Sequence, residues 1–491
     1  MIRSGREKER HTIPRWNSIE TGQQLGELDP INYREDNHDF ETSVEVLLNE
    51  WKNEKTLPLA IEILSESDLT NSSADISEII DYVKTKVQNK SGEVPLVKLL
   101  LNEQSNQVEI LPTKHSKIVS NIKTRLASNP HNPLLWTDLA REYLILGLPA
   151  KCEKALLVAR NLSPDNRTVL RAVARFYTHE DDYEKAQYYL AKSQLIRRDP
   201  WVLASEIAIS NEQNKTSRFI KNGIQLLENN NINPRARSEL AAELATMDFS
   251  AANSKNGKRK LYVACISPHE NAVAQIAWIN EKTYKIPSIL DEIKKQPVDC
   301  NFEAETGWYI QQKAWNSAID IAGQWQKYQP FSRTPALIKS EIALNYADKF
   351  TEAIQSLEEA LLSNPNDISL LNNLAYAYAL QGNELKMRNV LHIASTLTVI
   401  AEDPVLTATN GLYQYRFGDP EKGKELYQFA IKKADYLGQP EISYAATIYL
   451  AREELLCNHD VSNLLAILTK KKNESYFKAY KILIEEFKLP L

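Results

Sequence analysis

The chain is short of glycine, with 14 in 491 residues, where a typical chain has about 7%. That scarcity argues against sheet-rich folds with many tight turns and against glycine-rich phosphate loops. Four cysteines, Cys152, Cys265, Cys300 and Cys457, lie far apart with no CxxC pair, so neither a disulfide framework nor a local zinc site is expected. No apolar run approaches the ~18 residues that span a bilayer. HExxH, GxSxG and GxxxxGK[ST] are all missing, which removes the usual metalloprotease, hydrolase and phosphate-loop signatures. An excess of positive charge is missing too: the net charge is −5 and the pI about 6.0, unlike the strongly basic domain of a general nucleic-acid binder. The N-terminal MIRSGREKERHTIPRW has no apolar core and carries Glu7 and Glu9, so it suits neither a secretory signal nor a mitochondrial presequence. The expectation is a cytoplasmic, bacterial protein that is not an enzyme. No cofactor, metal, small-molecule substrate, nucleic acid or membrane is expected among its ligands.

What is present is ordinary soluble composition, 43% hydrophobic and 25% charged. A length of 491 residues exceeds what one compact core supports, so several domains or an open repeat array are expected. Residues 1–40 are polar and read as an extended or disordered arm. Residues 41–115 read as an N-terminal helical segment. Within it, 43–54 and 57–64 form a helix pair, and Ile76, Ile79, Ile80, Val83 and Val87 recur at helical spacing. KSGEVP (90–95) is a break, and 97–113 suit short strands or irregular chain. A helix is expected from Ser116 to Ala127, and a repeat array fills 116–491.

The array is visible as self-similarity. LASNPHNPLLWTDLAREYLILG (126–147) aligns with LLSNPNDISLLNNLAYAYALQG (361–382), sharing Ser-Asn-Pro, a Leu-Ala pair, a Tyr and a closing Gly. One unit carries Trp136, Leu139, Ala140 and Tyr143, then Cys152, Leu156, Ala159 and Pro164. The next gives Val173, Ala174 and Tyr177, then Ala186, Leu190 and Ser193, with its proline delayed to Pro200. Later units give Ala353, Leu357, Ala360 and Pro365, then Leu371, Leu374, Ala375, Tyr378, Leu391 and Ala394, and then Gly411, Gly418, Gly423, Tyr427 and Ala430. In the middle the pattern loosens: Trp325 stands where a small residue is expected, 201–258 and 280–306 fit poorly, and 248–258 reads as a loop. Small residues let paired helices approach, larger ones fill the gap to the next hairpin, and proline ends the unit.

This pattern resembles the tetratricopeptide repeat, and the spacing corresponds to roughly ten units. The resemblance implies an all-α fold, an α-solenoid of helical hairpins wound into a right-handed superhelix. It also implies a non-enzymatic protein–protein interaction scaffold, adaptor or regulatory subunit that holds a partner segment in its concave groove. The alternative is a sensor-regulator that binds a peptide or signal and controls an effector such as a nuclease. RNA binding and a catalytic N-terminal segment are further readings, opposed by the acidic pI and by the lack of motifs.

In the resembling family, ligands touch fixed positions of each first helix. Here those positions hold Leu134, Thr137, Arg141, Leu144 and Ile145, then Thr168, Arg171, Arg175, Thr178 and His179, and later Ser369, Asn372, Tyr376, Ala379 and Leu380. Arg141, Arg171 and Arg175 are expected to form a cationic strip for acidic groups of a partner, or to pair with the chain's own acids. Asn372 and Tyr376 are further candidate contacts. The chaperone-tail clamp of some family members is missing, because Thr137, Arg141 and Ala172 replace its residues.

Other clusters have plain structural readings. Tyr143, Tyr177 and Tyr378 sit at packing positions, as do Trp308, Trp315 and Trp325. His179-Glu180-Asp181-Asp182 falls at a turn, where acidic residues suit the start of a second helix. GKRK (257–260) and KKK (470–472) read as solvated surface. The arm carries Ile13, Pro14, Trp16, Ile19, Leu25 and Leu28, and Arg15-Trp16 joins two residue types common at interface anchors. It docks either into the chain's own groove or onto a partner. Its place outside the array favours the partner.

Overall fold

The computed structural model describes residues 10–16, 41–53, 75–82, 111–228, 232–282, 301–398 and 400–470, together with 55, 59, 60, 63, 286, 293, 298, 483 and 484. The described residues hold α- and 3-10 helices and no strand. The fold is an all-α solenoid of tetratricopeptide-like hairpins. It divides into two compact units, one drawn from 9–83 and 109–331, the other including 332–491.

The first unit opens with α1 (Glu41–Asn53) and α2 (Leu111–Ser128). The second of these begins five residues before the expected Ser116. Hairpins follow: α3 (Pro133–Ile145) with α4 (Pro149–Leu162), α5 (Arg167–His179) with α6 (Tyr183–Lys192), and α7 (Pro200–Glu212) with α8 (Ile220–Glu228). Then come α9 (Pro234–Ser250) with α10 (Ser254–Cys265), α11 (Glu270–Lys282), and α12 (Phe302–Gln311) with α13 (Trp315–Tyr328). The expected loop at 248–258 shrinks to the three residues 251–253 between α9 and α10.

Periodicity is set at the helix ends. Asn132, Asn166, Asp199 and Asn233 each accept main-chain N–H groups at the start of an inner helix, α3, α5, α7 and α9. A capping side chain there satisfies donors the helix cannot bond internally. The hairpin turns reverse through a left-handed residue, at Gly147, Asp181, Asn214, Ala252 and Lys313. The acidic run at 179–182 is therefore a turn, with Asp182 accepting from the Lys185 N–H to cap α6.

The second unit continues with α14 (Arg333–Tyr346), α15 (Phe350–Ser363), α16 (Ile368–Gln381), α17 (Glu384–Leu397), α18 (Pro404–Phe417), α19 (Pro420–Tyr436), α20 (Pro440–Leu456) and α21 (Ser462–Lys470). Gly411 and Gly423 mark where α18 and α19 cross. A Cβ on Gly423 would lie 2.7 Å from the Tyr415 ring and 3.0 Å from the Gly411 carbonyl. Tyr143, Tyr177 and Tyr378 are buried, as is Trp325.

Candidate functional site

The inner helices of the first unit are largely buried, and they bury a row of polar residues: Thr137, Arg141, Ser205, Glu239, Glu243, Asn271, Gln275 and Thr306. Unpaired, such groups are costly to bury. Much of the row meets residues 10–16, which run along it as a strap free of helix, turn and bend.

The strap is held by its main chain. Gln275 on α11 donates from Nε2 to the Arg10 carbonyl at 2.5 Å and to Thr246 Oγ1 at 2.7 Å. Asn271 donates to the Ile13 carbonyl at 3.1 Å. Arg141 on α3 donates from Nε to the Trp16 carbonyl at 3.3 Å. In the opposite sense, Glu243 on α9 accepts from the Thr12 N–H at 2.8 Å and from its hydroxyl at 3.1 Å. The other Glu243 oxygen lies 2.8 Å from His11 Nδ1 and accepts from Asn211 at 2.8 Å.

Its side chains are held by charge. Arg10 meets Glu303 on α12 with two parallel bonds, of 2.8 and 3.0 Å, and also donates to Gln275 Oε1 and Asn271 Oδ1. Such forked pairs fix direction as well as attraction. Arg15 donates to the same Glu303 carboxylate and stands 3.7 Å from Glu270. Burial alone would raise the Glu303 carboxyl, but the Arg10 and Arg15 guanidiniums outweigh it and hold the group at about 2. Burial would likewise raise Glu243, and its bonds to His11, Thr12 and Asn211 bring it below the ordinary carboxylate range. For Arg15, burial is outweighed by Glu303 and Glu270, and its pKa rises.

Trp16 closes the strap. Its indole is 3% exposed and tilts against Phe331, with ring centroids 5.9 Å apart. His179 and Arg175 of α5 meet the same Phe331 ring, at 5.8 and 5.3 Å. Arg141 also donates to the Tyr328 carbonyl at 3.1 Å, so α3 and the end of α13 meet at the point where Trp16 is seated.

The cationic residues expected to form a strip do not stand free. Arg171 grips Glu239 with two bonds, of 2.9 and 3.1 Å, and donates to the Trp201 carbonyl and Ser205. Arg141 pairs with Glu142 at 3.0 Å, and Arg175 lies over Phe331. Of the two possible partners for this strip, the structure places the chain's own groups on it. It also places Arg15 and Trp16 in the chain's own groove, where the sequence favoured an outside partner. The reason is complementary charge: Glu270 and Glu303 lie under the arm's arginines, and Glu243 under His11 and Thr12. Asn372 and Tyr376 belong to the second unit. Asn372 is buried and accepts from Thr409 at 2.6 Å, and Tyr376 packs edge-on against Tyr449 at 5.5 Å.

Sequence reasoning missed Glu243, Asn271, Gln275, Glu303 and Phe331, all in the degenerate middle. One signal was available: ELAAELA (239–245) sets two glutamates one turn apart in an otherwise apolar stretch, so both face one way. Among the described residues, no group of three or more His, Cys, Asp or Glu is arranged to hold a metal, and no helix is long and apolar enough to cross a membrane.

No protein-family model and no curated protein matches the chain. Among solved structures it is similar to yeast Tom70, at 13% identity over 84% of this chain and 96% of that one, with a TM-score of 0.29. It is also similar to a chain of the Naa15/Naa10 complex bound to HypK-THB, at 13% identity over 90% of this chain and 78% of that one, with a TM-score of 0.23. Neither is near enough to lend this chain its function.

Proposed function

We propose that this chain is a non-enzymatic protein-interaction scaffold, an adaptor or regulatory subunit of the cytoplasm, whose first unit binds an extended segment of a partner protein. One observation carries the reading: groove side chains from α3, α9 and α11 bond main-chain atoms of the strap, at the Arg10, Ile13 and Trp16 carbonyls and the Thr12 N–H. Side chains that read a backbone accept any extended peptide whose own side chains fit, which is what a peptide groove requires. In this reading the arm of 1–40, the helical segment of 41–115 and the array from 116 have separate tasks.

The test is selection from a random peptide display library on the full chain carrying Arg10→Glu and Arg15→Glu, which weaken the strap's hold. Enriched peptides should bind one to one and lose at least tenfold in affinity when Asn271→Ala and Gln275→Ala are added. Enrichment of nothing, or of peptides indifferent to those two changes, would end the reading.

The sensor-regulator reading has one observation in its favour. The groove already holds a tethered occupant, so a ligand entering it must release residues 10–16, and binding is coupled to a change elsewhere in the chain. It predicts that a groove ligand makes the strap accessible to protease.

A further inference from the structure

We infer that the partner segment is basic, with two arginines five residues apart and a tryptophan directly after the second, and that it enters by displacing strap residues 10–16. This rests on the peptide-groove reading above and adds to it the chemistry of the ligand and the competition.

The register comes from the groove. Glu303 lies where two guanidiniums converge, from Arg10 and Arg15, and Glu270 stands behind the second. Glu243 takes a main-chain N–H and a hydroxyl two residues after the first arginine. Phe331 gives the following ring a buried seat. Three carboxylates on the successive inner helices α9, α11 and α12 disfavour an acidic segment, and lysine cannot reproduce the forked contact that Arg10 makes with both Glu303 oxygens.

Displacement follows from how the strap is held. Apart from Ile13, Pro14 and Trp16, its contacts are ion pairs and hydrogen bonds. Each contributes little net stability against water, although leaving one half-made is expensive. A segment offering the same groups in trans exchanges with the strap without stranding any carboxylate. The strap's advantage is its tether, which makes its docking intramolecular and raises its effective concentration at the groove. A partner must therefore bind better than the strap or be held nearby by a second contact.

The experiment uses the full chain and a fluorescein-labelled peptide of residues 9–17 as the probe. Wild-type chain should bind it weakly. The Arg10→Glu, Arg15→Glu chain, whose strap repels the groove, should bind it at least tenfold more tightly. A probe with both arginines replaced by alanine should lose at least tenfold on that variant. If peptides from the display selection bind but arginine replacement changes nothing, the basic-segment inference fails and the groove reading stands. If no peptide of any kind binds, both fail. A wild-type dimer at micromolar concentration that the variant loses would make a second copy's strap the occupant, and would also overturn the inference. Should the variant not fold, hydrogen exchange on the wild-type chain decides. The Thr12 amide should exchange through an opening at least tenfold more frequent than that of amides in α5. Exchange of Thr12 only with global unfolding would make the strap a fixed part of the core and refute displacement.

Discussion

Glu243→Leu isolates the main-chain anchor of the strap. Glu243 is fully buried and serves the Thr12 N–H, the Thr12 hydroxyl, His11 and Asn211. Leucine nearly matches its volume and keeps the helix propensity of α9, so the array itself should stay folded. The hydroxyl, imidazole and amide can turn to other partners, but the Thr12 N–H cannot rotate away. A buried donor left without an acceptor costs about 1–3 kcal/mol, and the loss of the accompanying bonds brings the total to about 3 kcal/mol. The strap escapes that cost by leaving the groove, where water satisfies it. Trypsin reads the event directly, because Arg10 and Arg15 are both cleavage sites that the groove shields. When opening is fast relative to cleavage, the cutting rate follows the open population, so about 3 kcal/mol predicts cuts after Arg10 and Arg15 roughly a hundredfold faster, scored by mass spectrometry. A rate within twofold of wild type, in a variant with unchanged helical circular dichroism, would refute the reasoning.

Acid should release the strap. Glu303 titrates at about 2 in the folded chain, below the ordinary value near 4.3. Its contribution is therefore complete above about 4.3 and fades as pH falls toward about 2, and the exchange protection of the Thr12 amide should drop across that window. Arg171→Met removes the guanidinium that grips buried Glu239, leaving it His269 alone, and should cost about 3 kcal/mol in urea unfolding of the first unit. Arg175→Met loses the contact with the Phe331 ring, worth about 0.5–2 kcal/mol, and should cost less than Arg171→Met; the reverse order would contradict the pairing. Gly423→Ala should destabilise the second unit by about 1–3 kcal/mol through overpacking against Tyr415, despite the ~1 kcal/mol that alanine gains in a helix. A raised melting temperature would show that α18 and α19 have room to separate.

The hairpins were legible where sequence and packing agree. Asn132 and Asp367 cap inner helices, and the Leu-Ala-Tyr positions that follow them are buried. The middle was obscure for a physical reason. Helices α7 and α9 are enclosed by their neighbours and the strap, so Ser205, Glu206, Glu239 and Glu243 are as buried as Ile207 and Leu240, and no polar face remains to set a helical period. The fall of Ala252 and Lys313 into left-handed turns hid two hairpin reversals where no glycine marks them. The candidate site was half visible. Arg141, Arg15 and Trp16 were singled out, but Glu270 and Glu303, which hold Arg15, and Glu243, which holds Thr12 and His11, lie in degenerate repeats, at separations that no local pattern reports.

A groove that reads a backbone must lose its ligand when a main-chain hydrogen is removed. The direct measurement is the affinity of the residue 9–17 peptide for the Arg10→Glu, Arg15→Glu chain, with and without a single N-methyl group on the nitrogen of the residue corresponding to Thr12. Methylation removes the hydrogen that Glu243 accepts and leaves every side chain in place. It should weaken binding at least tenfold, while replacing the residue corresponding to Ile13 by valine should change it less than threefold. Equal binding by the methylated and unmethylated peptides would contradict the claim.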